Sequence, residues 1–408
     1  MNSSILNISK YFHLICIWIL FVLFLLLIVS CSDDGGSRSN SLYGDKSRNH
    51  NYDEISFGYK QFSTEYEVNI SDSSGIIYGP LMFSSYESII TTYSGGVYLM
   101  QSARKIWENN FANDVVVVAP VCDSLKNIYL AFRSGKVVSI DYSGKILWEY
   151  RHDFIENYSI FNNLLLLDSN IVISDNKGNI EVLDLEGNEV SHFNFDNYLY
   201  QTFPSFENEL ILPITHNVYG VSDSIVSIGI DGEINWKFSL DNSRIISTPV
   251  VSDGIIYIPC TYGSNINNLG LVFKIDGNGN LLDRIELSVI PRYVSIDSDS
   301  TVYIAAYNVG LGTEYESGIF AFDKENNLIW KKYISSKVIS PIYVFNQQIT
   351  FHSEDIGNGF FVFNKSDGNL INVIQLNDRE VVNNIPGIYK SNIYFSSSQS
   401  NKIISILE

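Results

Sequence analysis

Few side chains in this sequence are spaced for chemistry. The densest set of oxygen ligands is Asp276-Gly-Asn-Gly-Asn280, which reads at first as a calcium loop. Such a loop needs Gly at its sixth position and a bidentate carboxylate at its twelfth. Here the sixth is Leu281 and the twelfth is Leu287. A hairpin turn is the better reading, shared with Asp184-Leu-Glu-Gly187 and Asn364-Lys-Ser-Asp-Gly368. Asp297-Ser-Asp299 reads as a turn as well. No Gly-x-Ser-x-Gly, phosphate-cradling glycine loop or His-Glu-x-x-His occurs. The six histidines are scattered, and His216 and His352 read as solvated loop residues. The sequence therefore predicts no catalytic residue, no metal site and no cofactor.

The turns lie between short strands. In Thr248–Ser288 four of these are expected: Thr248–Val251, Ile255–Cys260, Leu271–Ile275 and Leu281–Leu287. They are rich in β-branched and aromatic residues and are separated by Gly, Asn and Asp, which predicts an antiparallel meander. The residue in the place of Tyr257 recurs as Ile90, Tyr129, Val172, Ile211, Tyr303, Thr350 and Tyr394, at intervals between 39 and 47 residues. A period of this size with four strands per unit predicts an all-β, eight-bladed β-propeller of four-stranded antiparallel blades. The eighth copy, Pro386–Glu408, holds three strands, the last being Lys402–Leu407. Tyr59–Ile70 supplies the fourth, so pairing of the N-terminal strand with the C-terminal blade is expected to close the ring and remove two free edges.

Ahead of the propeller, Tyr11–Val29 is an apolar run without formal charge, and Cys31 follows at Ile28-Val29-Ser30-Cys31. The pattern resembles the bacterial lipoprotein signal, in which that cysteine is acylated and becomes the new N-terminus. An uncleaved transmembrane helix is the competing reading, since the run is nearly long enough to span. Residues 1–30 are thus expected to be a signal peptide and 31–56 a polar tether carrying lipidated Cys31. The propeller would then occupy 57–408. As a flexible coil, the 25 residues Ser32–Ser56 would span about 28 Å. Asp33-Asp34 resembles the acidic signal that sends some lipoproteins to the cell surface; it also reads simply as solvated linker.

In four repeats the fourth strand carries a tryptophan: Trp107, Trp148, Trp236 and Trp330. Ile140–Tyr150 and Ile230–Phe238 show the turn-plus-Trp pattern best. It resembles the repeats of pyrroloquinoline-quinone-type propellers, in which the indole packs between neighbouring blades. The third, fifth and seventh repeats depart from it, with Ser191, Asp283 and Asn372 at or near the Trp site. WD40 repeats fit less well, for their Gly-His and Trp-Asp pairs are missing. Among lipid-anchored members the chain resembles the propeller subunit of the outer-membrane protein assembly machinery. That resemblance implies an adaptor whose loops dock a partner protein, and a place in the cell envelope. A quinone-dependent enzyme resembling this fold would be longer, with adjacent cysteines and a calcium-binding cluster. A glycan-directed enzyme or a small-ligand-binding ring are further alternatives.

Charge narrows the partners. The formal charge is −19, and Lys10 is the one charged residue among the first 30, so the remainder stands at −20. Such acidity opposes binding to nucleic acid or an anionic membrane through a broad basic surface. The lipid is the expected membrane contact, and the chain is expected to be a monomer. Beyond Cys31, Cys122 and Cys260 lie three repeats apart, too far for a disulfide, and read as small buried apolar residues.

The loops between second and third strands single out one arc. They are short in the first three repeats and lengthen to Pro213–Asp223, Thr261–Gly270 and Tyr307–Gly318, with Ser353–Asn358 in the seventh. Long loops on a rigid scaffold are where binding resides, though neutral drift would lengthen them too. Tyr219, Tyr262, Tyr307 and Tyr315 are of the type enriched at interfaces. With Glu314, Glu316, Glu354 and Asp355 they predict a partner of basic or mixed surface on the loop face of blades four to seven.

Overall fold

A computed structural model gives the architecture. It describes residues 51–52, 61–68, 70, 74–112, 114–152, 161–195, 202–216, 222–263, 269–308, 316–334, 338–353, 359–375, 387–389, 392–397 and 402–407. Among them there is no helix, and every regular element is a strand.

The strands assemble into sheets in chain order. The first sheet holds Ile76–Met82, Glu87–Thr92, Gly96–Gln101 and Arg104–Asn110. The second holds Val121–Cys122, Ile128–Ala131, Lys136–Ile140 and Ile146–Arg151. Phe161–Leu166, Asn170–Asp175, Asn179–Asp184 and Glu189–Asn194 form the third. Ser205–Phe206, Glu209–Ile214, Ser224–Ile228 and Ile234–Ser239 form the fourth. In the fifth, Ile255–Tyr262 is followed by Leu269–Asp276 and Leu281–Leu287, and both Ser243–Ile245 and Val250–Ser252 pair with its first long strand. The sixth comprises Pro291–Ile296, Val302–Asn308, Glu316–Phe322 and Leu328–Ile334. Tyr343–Phe345, Gln348–Ser353, Gly359–Asn364 and Leu370–Gln375 make the seventh. The last has Gly387–Tyr389, Asn392–Ser397 and Lys402–Leu407, and its fourth strand is Gln61–Glu67.

The repeat anchors all fall on second strands, as the spacing requires. Gln61–Glu67 runs antiparallel to Lys402–Leu407, within the expected segment. The last sheet also meets the first: Tyr394 donates to the Ser85 carbonyl at 3.0 Å and Ser396 to that of Gly79 at 2.8 Å. A shared apolar cluster of Ile76, Met82, Ile90, Tyr98, Tyr389, Tyr394 and Ile403 lies there. Successive four-stranded antiparallel sheets packed face to face are the architecture of a β-propeller.

The tryptophans show why neighbouring sheets fit. The Nε1 of Trp107, Trp148, Trp236 and Trp330 donates at 2.9, 2.8, 2.7 and 3.0 Å to the carbonyls of Tyr142, Leu185, Gly277 and Lys365, each in the next sheet. Beneath each indole sits a turn glycine of that sheet. At Gly187, with φ +86°, an added Cβ would come within 2.5 Å of the Trp148 ring. A side chain there would be strained and would push the sheets apart. Where the Trp is missing, other groups serve. Ser191 donates to the Ile230 carbonyl while Phe193 covers Gly232. Between the fifth and sixth sheets, Lys274 donates to Asn326 at 2.7 Å, and Asn326 to Asp283 at 2.5 Å.

Three expectations need correction. Asn51–Tyr52 falls in the segment assigned to the polar tether, yet it pairs in parallel with Val344–Phe345. Polarity weighs against burial of side chains; it does not prevent backbone groups from pairing with an open strand edge. His352 is not a solvated loop residue: it lies in Gln348–Ser353, buried, with its ring stacked on Phe360 at 5.0 Å. Cys122 is half-buried rather than fully buried, while Cys260 is buried, and both thiols are free. Burial pushes the Cys122 thiol up to about 12 and raises that of Cys260 well above its usual value, which disfavours the thiolate at both.

Candidate binding surface

The candidate surface lies where second strands turn into third strands. Strands extend further into the long loops than their polarity suggested. Thr261, Tyr262, Leu269 and Gly270 belong to the ladder of the fifth sheet, and Tyr307 and Asn308 to that of the sixth. β-branched and aromatic residues carry the pairing outward past the core.

Tyr262 ends its strand opposite Leu269 on one side and Ser243 on the other, and it is exposed. Tyr307 is half-buried, and its N–H donates to the Ile290 carbonyl at 3.0 Å. The guanidinium carbon of Arg292 lies 4.7 Å from the centroid of the Tyr307 ring. Arg292 is the extra residue at a register shift between Pro291 and Tyr293. Beside it, Tyr293 donates to the Ile339 carbonyl at 3.2 Å, and burial raises its phenol to about 12. Glu316 opens the third strand opposite Asn308, one ladder position from the Tyr307–Ser317 pair. Tyr307 and Glu316 thus share a hairpin, whereas Tyr262 belongs to the neighbouring sheet. Tyr219, Glu314, Tyr315, Glu354, Asp355 and Cys31 lie outside the described residues.

The base of the surface between the fourth and fifth sheets is tied down by Asp223. Its carboxylate accepts from the backbone N–H of His216 at 3.0 Å and of Ile245 at 2.8 Å. Burial raises this carboxyl despite those bonds. Arg244 donates to the His216 carbonyl at 2.7 Å. These bonds hold the start of the fifth sheet against the end of a fourth-sheet strand.

Among the described residues, no group of three His, Cys, Asp or Glu is gathered closely enough to hold an ion. Asp276 instead accepts from the N–H groups of Asn278 and Asn280 at 2.9 and 2.8 Å, closing its turn. The Asn280 side chain and these N–H groups hold its carboxyl below the usual range. Asp297 is buried and paired with Lys365 of the next sheet at 3.1 Å.

One ionisable group escaped the sequence reading. His152 is buried against Glu181, to which its Nδ1 is hydrogen-bonded, with its Nε2 3.8 Å from Asp175. The signal that could have exposed it is Glu181 itself, a charge in the middle of the apolar strand Asn-Ile-Glu-Val-Leu-Asp. Burial lowers the His152 pKa, but hydrogen bonds and charge from Asp175 and Glu181 outweigh it and raise the ring to about 9.

No family model matches the chain. An uncharacterized protein, RP232 of Rickettsia prowazekii (strain Madrid E), is 24% identical over 224 residues, covering 51% of this chain and 52% of that protein. The chain thus matches about half the length of that relative. Among solved structures, BamB from Moraxella catarrhalis superposes with a TM-score of 0.61 at 15% identity, covering 85% of this chain and 98% of BamB. The quinohemoprotein alcohol dehydrogenase ADHIIG from Pseudomonas putida HK5 gives 0.63 at 13% identity, over 91% of this chain and 80% of the enzyme. At such identities these likenesses show the fold, a β-propeller, and leave function to the residues.

Proposed function

We propose that this chain is a lipid-anchored, non-catalytic envelope protein, a closed ring of eight blades that binds a protein partner on the loop face of its fourth to seventh blades. The observation that carries the reading is the pair of tyrosines, Tyr262 and Tyr307, at the strand ends of adjacent sheets. Tyr262 is exposed and Tyr307 half-buried against Arg292. Amphipathic rings fixed on rigid strands are suited to an interface, because little side-chain freedom is lost on binding. Pairing of Gln61–Glu67 with the last sheet, and the contacts of that sheet with the first, support closure. The structural likeness to BamB supports the envelope, and outer-membrane protein assembly is the process it favours. Cys31, after its apolar run, is the anchoring residue, and the membrane is met through its lipid.

Two changes to the full chain test this. Cys31→Ser should abolish lipid labelling and leave the precursor unprocessed or the protein released; unchanged labelling would refute the anchor. Tyr262→Ala combined with Tyr307→Ala should weaken affinity capture of a β-barrel assembly complex by about tenfold or more, with melting nearly unchanged, as for loss of an aromatic hot spot. Equal capture by the double variant would refute this surface.

A further inference from the structure

We propose that Arg292, Tyr307 and Ser317 form a receptor for a carboxylate at the loop-face end of the contact between the sixth and seventh sheets. Arg292 is half-buried, and its Nε is shielded from solvent without a hydrogen-bond partner among the described residues. It has no ion pair there either, although acidic residues outnumber basic ones 45 to 26. Arg284 pairs with Glu286 at 2.9 Å and Arg244 with the His216 carbonyl, while Arg104, Arg133 and Arg151 are exposed to water, which satisfies them. Ser317 faces Tyr307 directly across the ladder, is 1% exposed, and its Oγ also lacks a partner. Directly opposed residues project from the same face of a sheet. By alternation that face carries Tyr303, Ala305, Ile319 and Ala321, which pack against Val338 and Ile342 of the segment leading into the next sheet.

Two polar groups without partners among the described residues therefore adjoin Tyr307, one over its ring and one at the facing ladder position. Buried donors left unmade cost stability unless a ligand accepts from them. Most further orphans are neutral hydroxyls and amides, and the charged ones, at Glu181 and His152, belong to the ion pair between those two residues, whereas Arg292 has no acidic partner among the described residues. The guanidinium carbon lies over the Tyr307 ring, which restrains a planar group whose Nε and a terminal nitrogen form a fork. A planar carboxylate matches that fork with two parallel bonds, and a hydroxyl alongside adds a third. Distant negative charge is screened beyond about 8 Å at physiological salt, so the acidic neighbour to outweigh is Glu316, one ladder position away. The inference rests on the partner-binding reading above and deepens it: the partner presents an acidic side chain here, and a small dicarboxylate would offer the same chemistry.

Calorimetric titration of the detergent-extracted full chain tests the receptor, with succinate, a short Glu-Ser repeat peptide and inorganic phosphate as probes. Saturable binding of succinate or the peptide is expected, weakened about tenfold or more by Arg292→Gln. Arg292→Lys should recover only part of it, and Ser317→Ala should cost less than Arg292→Gln; melting of each variant reports folding. Tighter binding of the peptide assigns the carboxylate to a protein partner, and equal binding assigns it to a small acid. Phosphate bound best, no saturable probe, or an unaffected Ser317→Ala and Arg292→Gln pair would overturn the proposal. If probes bind but Tyr262→Ala leaves partner capture intact, the docking surface fails while the receptor stands; the reverse pattern refutes the receptor alone.

Discussion

At the scale of single residues, the contacts between sheets are made by a few repeated devices and one buried charge cluster. Removing an indole such as Trp148 would cost roughly 3–5 kcal/mol, the range for deleting a large packed aromatic. The His152 cluster makes stability depend on pH. Its ring faces Asp175 and Glu181, with Tyr150 and Glu189 beyond them on the outer strands. The folded pKa of about 9 lies above the usual 6.5, so the protonated pair stabilises fully below about pH 6.5 and is lost as pH rises through about 9. Melting temperature should therefore fall across that interval. His152→Gln should flatten the slope, and it should also destabilise by about 3–5 kcal/mol, because two buried carboxylates lose their partner. An identical slope in wild type and variant would assign the pH dependence elsewhere.

At the scale of elements, Gln61–Glu67 is the strand whose loss should matter most. Without it Lys402–Leu407 becomes an open edge able to pair with other chains. Deletion of residues 61–67 should lower the melting temperature and promote aggregation, measured by calorimetry and light scattering; unchanged melting would argue against closure. This strand was legible because the last repeat came up one strand short while an unassigned β-rich segment stood at the other end. The repeat anchors were legible for a similar reason: strands of one period bury one residue at one register, and Tyr129, Tyr257, Tyr303 and Tyr394 all do so. The strand extensions through Tyr262 and Tyr307 were not, because the surrounding residues are polar and backbone pairing needs no apolar pattern. His352 was misread for a related cause. A polar run follows it, and only the packed seventh sheet supplies the Phe360 ring that buries it. The His152–Glu181 pair joins sheets 29 residues apart in sequence, beyond any local pattern.

At the scale of the whole molecule, the account holds that repetition builds a rigid body and that one arc of its loop face works. The sheets share one hairpin plan, so the differences between them mark what packing does not demand: longer second-to-third connections, Tyr262 and Tyr307 at their bases, and an Arg292 without a polar partner among the described residues. Arg133–Gly135 of the second sheet is a short turn at the equivalent place, which provides an internal contrast. The most direct measurement is site-specific photocrosslinking in intact cells, with a photoreactive residue in place of Tyr262 in one protein and of Ser134 in the other. The account predicts a discrete adduct of the same partner from position 262 and none from position 134. Adducts from position 134 alone would contradict it and move the working surface to the opposite arc.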